Sequence, residues 1–187
     1  MLARAKRKLT AEEFYNLYGA VNAKYELVDG EAWAISGGPV AHAMTAGNIL
    51  VALRTKLSGS GCQTFNSDMG LRLGAVDVRY PDVAIYCNPR DLGRDPATTR
   101  DFERPSVIFE VFSPSTELED RRVKVIHYKA IESVRTIVHV DPTRKVFELH
   151  RRATDREWQH FLSEPGDDLE ISELSLTLTA AEIFDRA

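Results

Sequence analysis

Cysteine is scarce in this sequence: Cys62 and Cys87 are the only two in 187 residues, with no Cys-x-x-Cys pair and no Cys/His spacing. That excludes a disulfide framework and a cysteine-based zinc site, and free thiols in a reducing compartment are the expectation. Long apolar runs are missing as well. Nothing approaches the roughly 20 residues that crossing a bilayer requires, and the basic stretch from Arg4 to Lys8 enters a helix signal without the apolar core of a secretion signal. A cytoplasmic protein with no membrane partner is expected. There is no surplus of positive charge either, since 24 Lys and Arg stand against 28 Asp and Glu for a net charge of -4. Nonspecific coating of nucleic acid rests on such a surplus and is disfavoured. A nuclease stays open, because its own carboxylates lower the net charge. No period of the solenoid kind is visible.

What is present suits one compact domain spanning residues 1–187, with 43% hydrophobic residues to fill a core. Thr10-Ala11-Glu12-Glu13 is a capping box, followed by Phe14, Leu17 and Tyr18 at helical spacing. Asp29-Gly30 between Lys24–Val28 and Glu31–Ile35 predicts a tight hairpin. Pro39 opens the longest helix, which runs to about Leu57 with Val40, Ala43, Met44, Gly47, Leu50 and Val51 on its apolar side. Short antiparallel strands are expected from Cys62 to Tyr86, and mostly loop from Asn88 to Glu103. A buried strand at Val107–Phe112, a helix from Leu118 to about Ser133 and a buried strand at Thr136–Val140 form a βαβ unit, which implies parallel pairing. Two alternating strands, Lys145–Arg151 and Glu157–Leu162, follow. A last strand near Leu174–Leu178 leads to a second capping box at Thr179 and Glu182. The fold class is α/β with a central mixed sheet flanked by helices, preceded by an N-terminal helix and hairpin.

Two carboxylates stand where carboxylates are costly. Asp82 follows Pro81 at the start of one buried-looking strand, and Glu110 ends another. Neighbouring strands could bring both to one edge of the sheet, where a hard divalent cation such as Mg²⁺ would account for them. The carbonyl of Val111 is a further oxygen ligand within reach. On the following helix Asp120, Lys124 and Tyr128 fall at i, i+4 and i+8, so Lys124 can reach the same cavity and orient or activate a water. Taken alone, Asp120 and Lys124 are an ordinary exposed pair.

Pro81-Asp82, the run Glu110-Val111-Phe112-Ser113-Pro114-Ser115-Thr116, and Asp120, Lys124 and Tyr128 together resemble the restriction-endonuclease-like domain of the PD-(D/E)XK nuclease superfamily, in the bacterial group called Uma two. Tyr25 to Glu31 resembles the first strand and hairpin of that group, and Val138-His139-Val140-Asp141-Pro142 its closing strand. The resemblance implies a DNA nuclease dependent on Mg²⁺ or Mn²⁺, with Asp82 and Glu110 as metal ligands, Glu26 as a further acid and Lys124 as catalytic lysine. His42 sits where the long helix of the family often carries a histidine. The superfamily's usual lysine stands two residues after the second acid, where this chain has Phe112, so the role passes to Lys124 and not to Lys129. A homodimer is expected, because cutting two strands with one site per chain takes two copies.

Other readings stand beside these. The fold could serve as a non-catalytic or partner-dependent module. Glu26 could be a plain solvent-facing glutamate, and His42 a cap residue. Asp68 and Asp77 flank turns, where aspartate makes local hydrogen bonds. The basic hairpin residues Arg144, Lys145, Arg151, Arg152 and Arg156 suit a solvated face, and Trp33 and Trp158 suit core or interface packing.

Overall fold

The computed structural model describes residues 8–19, 21, 23–113 and 120–185. Helix α1 (Ala11–Tyr18) begins at the Thr10–Glu13 capping box and buries Ala11 and Phe14 against Leu27 and Val78. Strands β1 (Lys24–Val28) and β2 (Glu31–Ile35) pair through a turn in which Asp29 and Gly30 both take positive φ, 48° and 75°. That is the turn whose twist matches a hairpin. Asp77 holds it by accepting from the Asp29 amide at 2.7 Å.

The hairpin belongs to a five-stranded sheet of order β2-β1-β5-β4-β7, completed by β4 (Gly70–Arg72), β5 (Val78–Arg79) and β7 (Asp101–Phe102). A second, six-stranded sheet has the order β11-β10-β9-β8-β6-β3. Its members are β3 (Gln63–Asn66), β6 (Val83–Tyr86), β8 (Pro105–Val111), β9 (Thr136–Asp141), β10 (Val146–Arg152) and β11 (Trp158–Leu162). Within it β8 and β9 pair in parallel, as the βαβ reading requires, and the other pairs are antiparallel, so the sheet is mixed. One face, carrying Val83, Ile85, Val107, Phe109, Val111, Val138 and Val140, is covered by α2 (Val40–Lys56), by the hairpin of β12 (Leu169–Ile171) and β13 (Leu176–Leu178), and by the terminal helix α5 (Ala180–Phe184).

Three expectations are corrected. The buried side of α2 is Thr45, Ile49 and Leu53, whereas Val40 and Val51 are 74% and 66% exposed. Between Asn88 and Glu103 the chain is mostly loop, as expected, with only the short helix α3 (Pro89–Leu92) and β7 in it. Among the described residues the helix after β8 is a π turn over Asp120–Lys124 and α4 (Val125–Lys129), ending four residues before Ser133. Residues 114–119 and the side chain of Asp120 lie outside the described residues. Cys62 and Cys87 are not free thiols but a disulfide with Cα atoms 4.2 Å apart. Antiparallel pairing of β3 with β6 puts Gln63 opposite Tyr86, so the next residues outward face each other within bonding range. Among the described residues no helix is long and apolar enough to cross a membrane.

Candidate active site

Alternation along β8 sends Val107, Phe109 and Val111 to the face under α2, and Ile108 and Glu110 to the opposite face under α4. Glu110 is only 2% exposed. A carboxylate so placed must be matched by donors, and two come from one flank of the helical segment. The Tyr128 hydroxyl donates to Glu110 Oε1 at 2.6 Å, and Lys124 Nζ donates to the same oxygen at 3.2 Å. Lys124 and Tyr128 are four apart, one turn of helix, which is why both reach one carboxylate. Burial, then the charge of Glu110, push the Tyr128 phenol well above its ordinary pKa, so it stays protonated and remains a donor.

Glu26 is not a solvent-facing glutamate. It is 3% exposed, and Arg79, fully buried on β5, donates to its Oε2 at 2.7 Å. The Tyr80 amide donates to Oε1 at 3.1 Å, and Lys124 Nζ lies 4.0 Å from that oxygen. Lys124 therefore stands between two buried acids, one from each sheet.

Asp82 sits in the bend between Pro81 and β6 and is the more open acid, with its side chain 17% exposed. Its Oδ2 accepts from the Val111 amide at 2.8 Å and lies 3.1 Å from His42 Nε2. The first of these contacts ties Asp82 to the residue next to Glu110. The second gives His42, in the first turn of α2, a specific partner. Lys24 belongs to the same neighbourhood. It donates to Ser67 Oγ at 2.8 Å and lies 5.2 Å from the Tyr80 ring centroid. Burial lowers its pKa, against the opposing pull of Asp68, Asp82 and Glu26.

Lys129 points away, with Nζ 5.4 Å from the Trp158 ring centroid. Arg152 of the basic hairpin is a packing residue: it donates to the carbonyls of Val134, Lys129 and Ile131 at 2.7 to 2.8 Å and lies over Trp158. Trp33 is 58% exposed on β2 and so is not a core residue. Sequence reasoning missed Arg79 and Lys24, which carry no local signal. It also missed a group made by His139, Glu148 and His150, whose ligand atoms all lie within 4.8 Å of one another. Glu148 and His150 at strand spacing, with His160 on the next strand, were the available hint.

Residues 11–181 match the Uma2 family, described as "Putative restriction endonuclease". The chain belongs to that family. One relative is the "Uncharacterized protein slr1290" of Synechocystis, 27% identical over 178 residues that span 95% of this chain and 92% of that protein. Among solved structures, one from Anabaena variabilis described as "a putative nuclease belonging to DUF820" superposes with a TM-score of 0.74. It covers 94% of this chain and 97% of its own at 15% identity. The restriction-endonuclease-like fold is thereby shared.

Proposed function

We propose that this Uma2 chain is a metal-dependent nuclease that hydrolyses DNA phosphodiester bonds. The observation that carries the reading is the seat of Lys124, whose ammonium stands 3.2 Å from Glu110 and 4.0 Å from Glu26 although it comes from the helical segment after β8. A lysine held there supports the role of orienting or activating the attacking water, with Phe112 in the position two residues after Glu110.

The carboxylates of Asp82 and Glu110 and the carbonyl of Val111 are oxygen donors only, a set that fits Mg²⁺ or Mn²⁺. Bound there, such a cation would lower the pKa of water and neutralise charge growing on phosphate. The protein's own residues do the rest. His42 and the Val111 amide fix the orientation of Asp82, and Tyr128 fixes that of Glu110. Glu26 assists by holding Lys124 from the other side, itself anchored by Arg79. Water adds to phosphorus, the opposite P–O bond breaks, and the products are a phosphate monoester and a hydroxyl. Two copies of the chain would be used to cut both strands.

The test is incubation of the purified protein with supercoiled plasmid, single-stranded DNA and RNA in Mg²⁺ or Mn²⁺, beside Asp82→Asn and Lys124→Ala. Metal-dependent cutting of DNA by wild type alone is expected. Equal cutting by all three proteins, or none with either metal, overturns the reading for the isolated chain. The latter result would favour a module built on the nuclease fold that is either non-catalytic or active only with a partner chain.

A further inference from the structure

Three of the five histidines gather on the face of the six-stranded sheet that also carries Glu110, which lies opposite His139. Strand register places them: His139 on β9 lies opposite Glu148 on β10, and His150, two residues on, lies opposite His160 on β11. Side chains two apart on a strand and directly across from one another share a face. The ligand atoms of His139, Glu148 and His150 accordingly all lie within 4.8 Å of one another. The His150 and His160 rings stack with centroids 4.5 Å apart and planes 7° from parallel, and His160 Nε2 is 3.8 Å from Glu148 Oε2.

The surroundings are those of a built site. His139 is fully buried and backed by Phe112, whose ring stacks on it at 5.2 Å. Glu148 is half-buried and His160 exposed, so access is from the side of β11. A cavity of about 410 Å³ borders His139 and Glu148 and is also lined by Phe112, Asp141 and Arg144. Two imidazoles and one carboxylate are the donors that borderline transition cations take, in contrast to the all-oxygen set around Asp82. Ligands about 2.1 Å from a tetrahedral Zn²⁺ sit roughly 3.4 Å apart, so closure from the present spacing takes side-chain shifts of about 1 Å.

We propose that His139, Glu148 and His150 bind one transition-metal cation of the Zn²⁺ class, with a fourth position open to solvent. The cation ties β9 to β10 through donors different from those of the hard-cation site proposed at Asp82 and Glu110.

Zn²⁺ is titrated into the chelator-stripped full chain in competition with a chromogenic chelator, and Co²⁺ is used in parallel for its visible absorption. Wild type and Asp82→Asn are expected to bind one equivalent and to melt at a higher temperature with Zn²⁺. His150→Ala and Glu148→Gln should lose at least tenfold in affinity and show neither the Zn²⁺-dependent rise nor the Co²⁺ band, while melting cooperatively without metal. Failure of wild type to bind Zn²⁺, undiminished affinity in both His150→Ala and Glu148→Gln, or loss confined to Asp82→Asn each overturns the proposal. Because the readout is metal affinity and not DNA cleavage, the nuclease reading can fail without affecting this result.

Discussion

Arg79 donates to Glu26 at 2.7 Å with its own side chain fully buried, joining β5 to β1 beneath the lysine that faces Glu110. Removing Arg79 leaves the buried Glu26 carboxylate with only the Tyr80 amide and Lys124, 4.0 Å away, to offset its charge. Arg79→Met is expected to destabilise the protein by about 3 to 5 kcal/mol in urea unfolding, and Arg79→Met with Glu26→Gln by much less. Additive losses in that double-mutant cycle would mean that the pair is not coupled.

The disulfide closes a separation of 25 residues between Cys62 and Cys87. Loop-closure entropy puts its contribution at about 3 kcal/mol. Cys87→Ser, or reduction of wild type, should lower the urea midpoint and, by releasing the unfolded chain, leave the denaturant slope equal or steeper. An unchanged midpoint after complete reduction, verified by thiol titration, contradicts this.

Alkali should act through buried phenols. Tyr86 is fully buried, burial raises its pKa, and its hydroxyl has no hydrogen-bond partner among the described residues. The unfolded chain releases that proton near pH 10 and the folded chain does not. Its contribution is therefore complete below about pH 10 and is lost as pH rises further. Tyr86→Phe should be neutral or stabilising at pH 7 and should flatten the stability decline above pH 10 by about 1.4 kcal/mol per pH unit. Parallel declines for the two proteins would refute the assignment.

His42 tests the proposed site without touching its acids. Asp82 keeps the Val111 amide when His42 is removed, so His42→Ala should retain the fold and lose roughly tenfold in DNA cleavage, in the range seen when a contact that orients a metal ligand is deleted. His42→Gln, which can still donate, should recover part of the loss. Cleavage by His42→Ala at the wild-type rate and metal dependence would remove His42 from the site.

Features carried by neighbouring residues were legible in the sequence. The capping boxes at Thr10 and Thr179 and the Asp29-Gly30 turn form where their local chemistry points. The parallel pair β8–β9 followed from its two buried strands. What depended on distant partners was not legible. The buried side of α2 is set by packing against β3, β6 and α5, and a helix rich in Ala, Gly and Thr offers little contrast between its faces. The end of α4 is taken by Arg152, whose guanidinium reaches the carbonyls of Lys129 and Ile131 from β10. Glu26 looked as much like a surface residue as a buried one because Arg79 is 53 residues away. The disulfide required the β3–β6 register, which the spacing of two cysteines does not reveal.

Phe112 gives the placement of Lys124 a wider meaning. An ammonium at position 112 would press a fixed positive charge toward the His139 ring that Phe112 now stacks on, and would repel a cation beside it. By taking its ammonium from the π turn and leaving an aromatic at the strand end, the chain divides one sheet face between two electrostatic territories. One is an anionic pocket spanned by a lysine. The other is a cluster of three histidines around Glu148, against which Phe112 packs through His139.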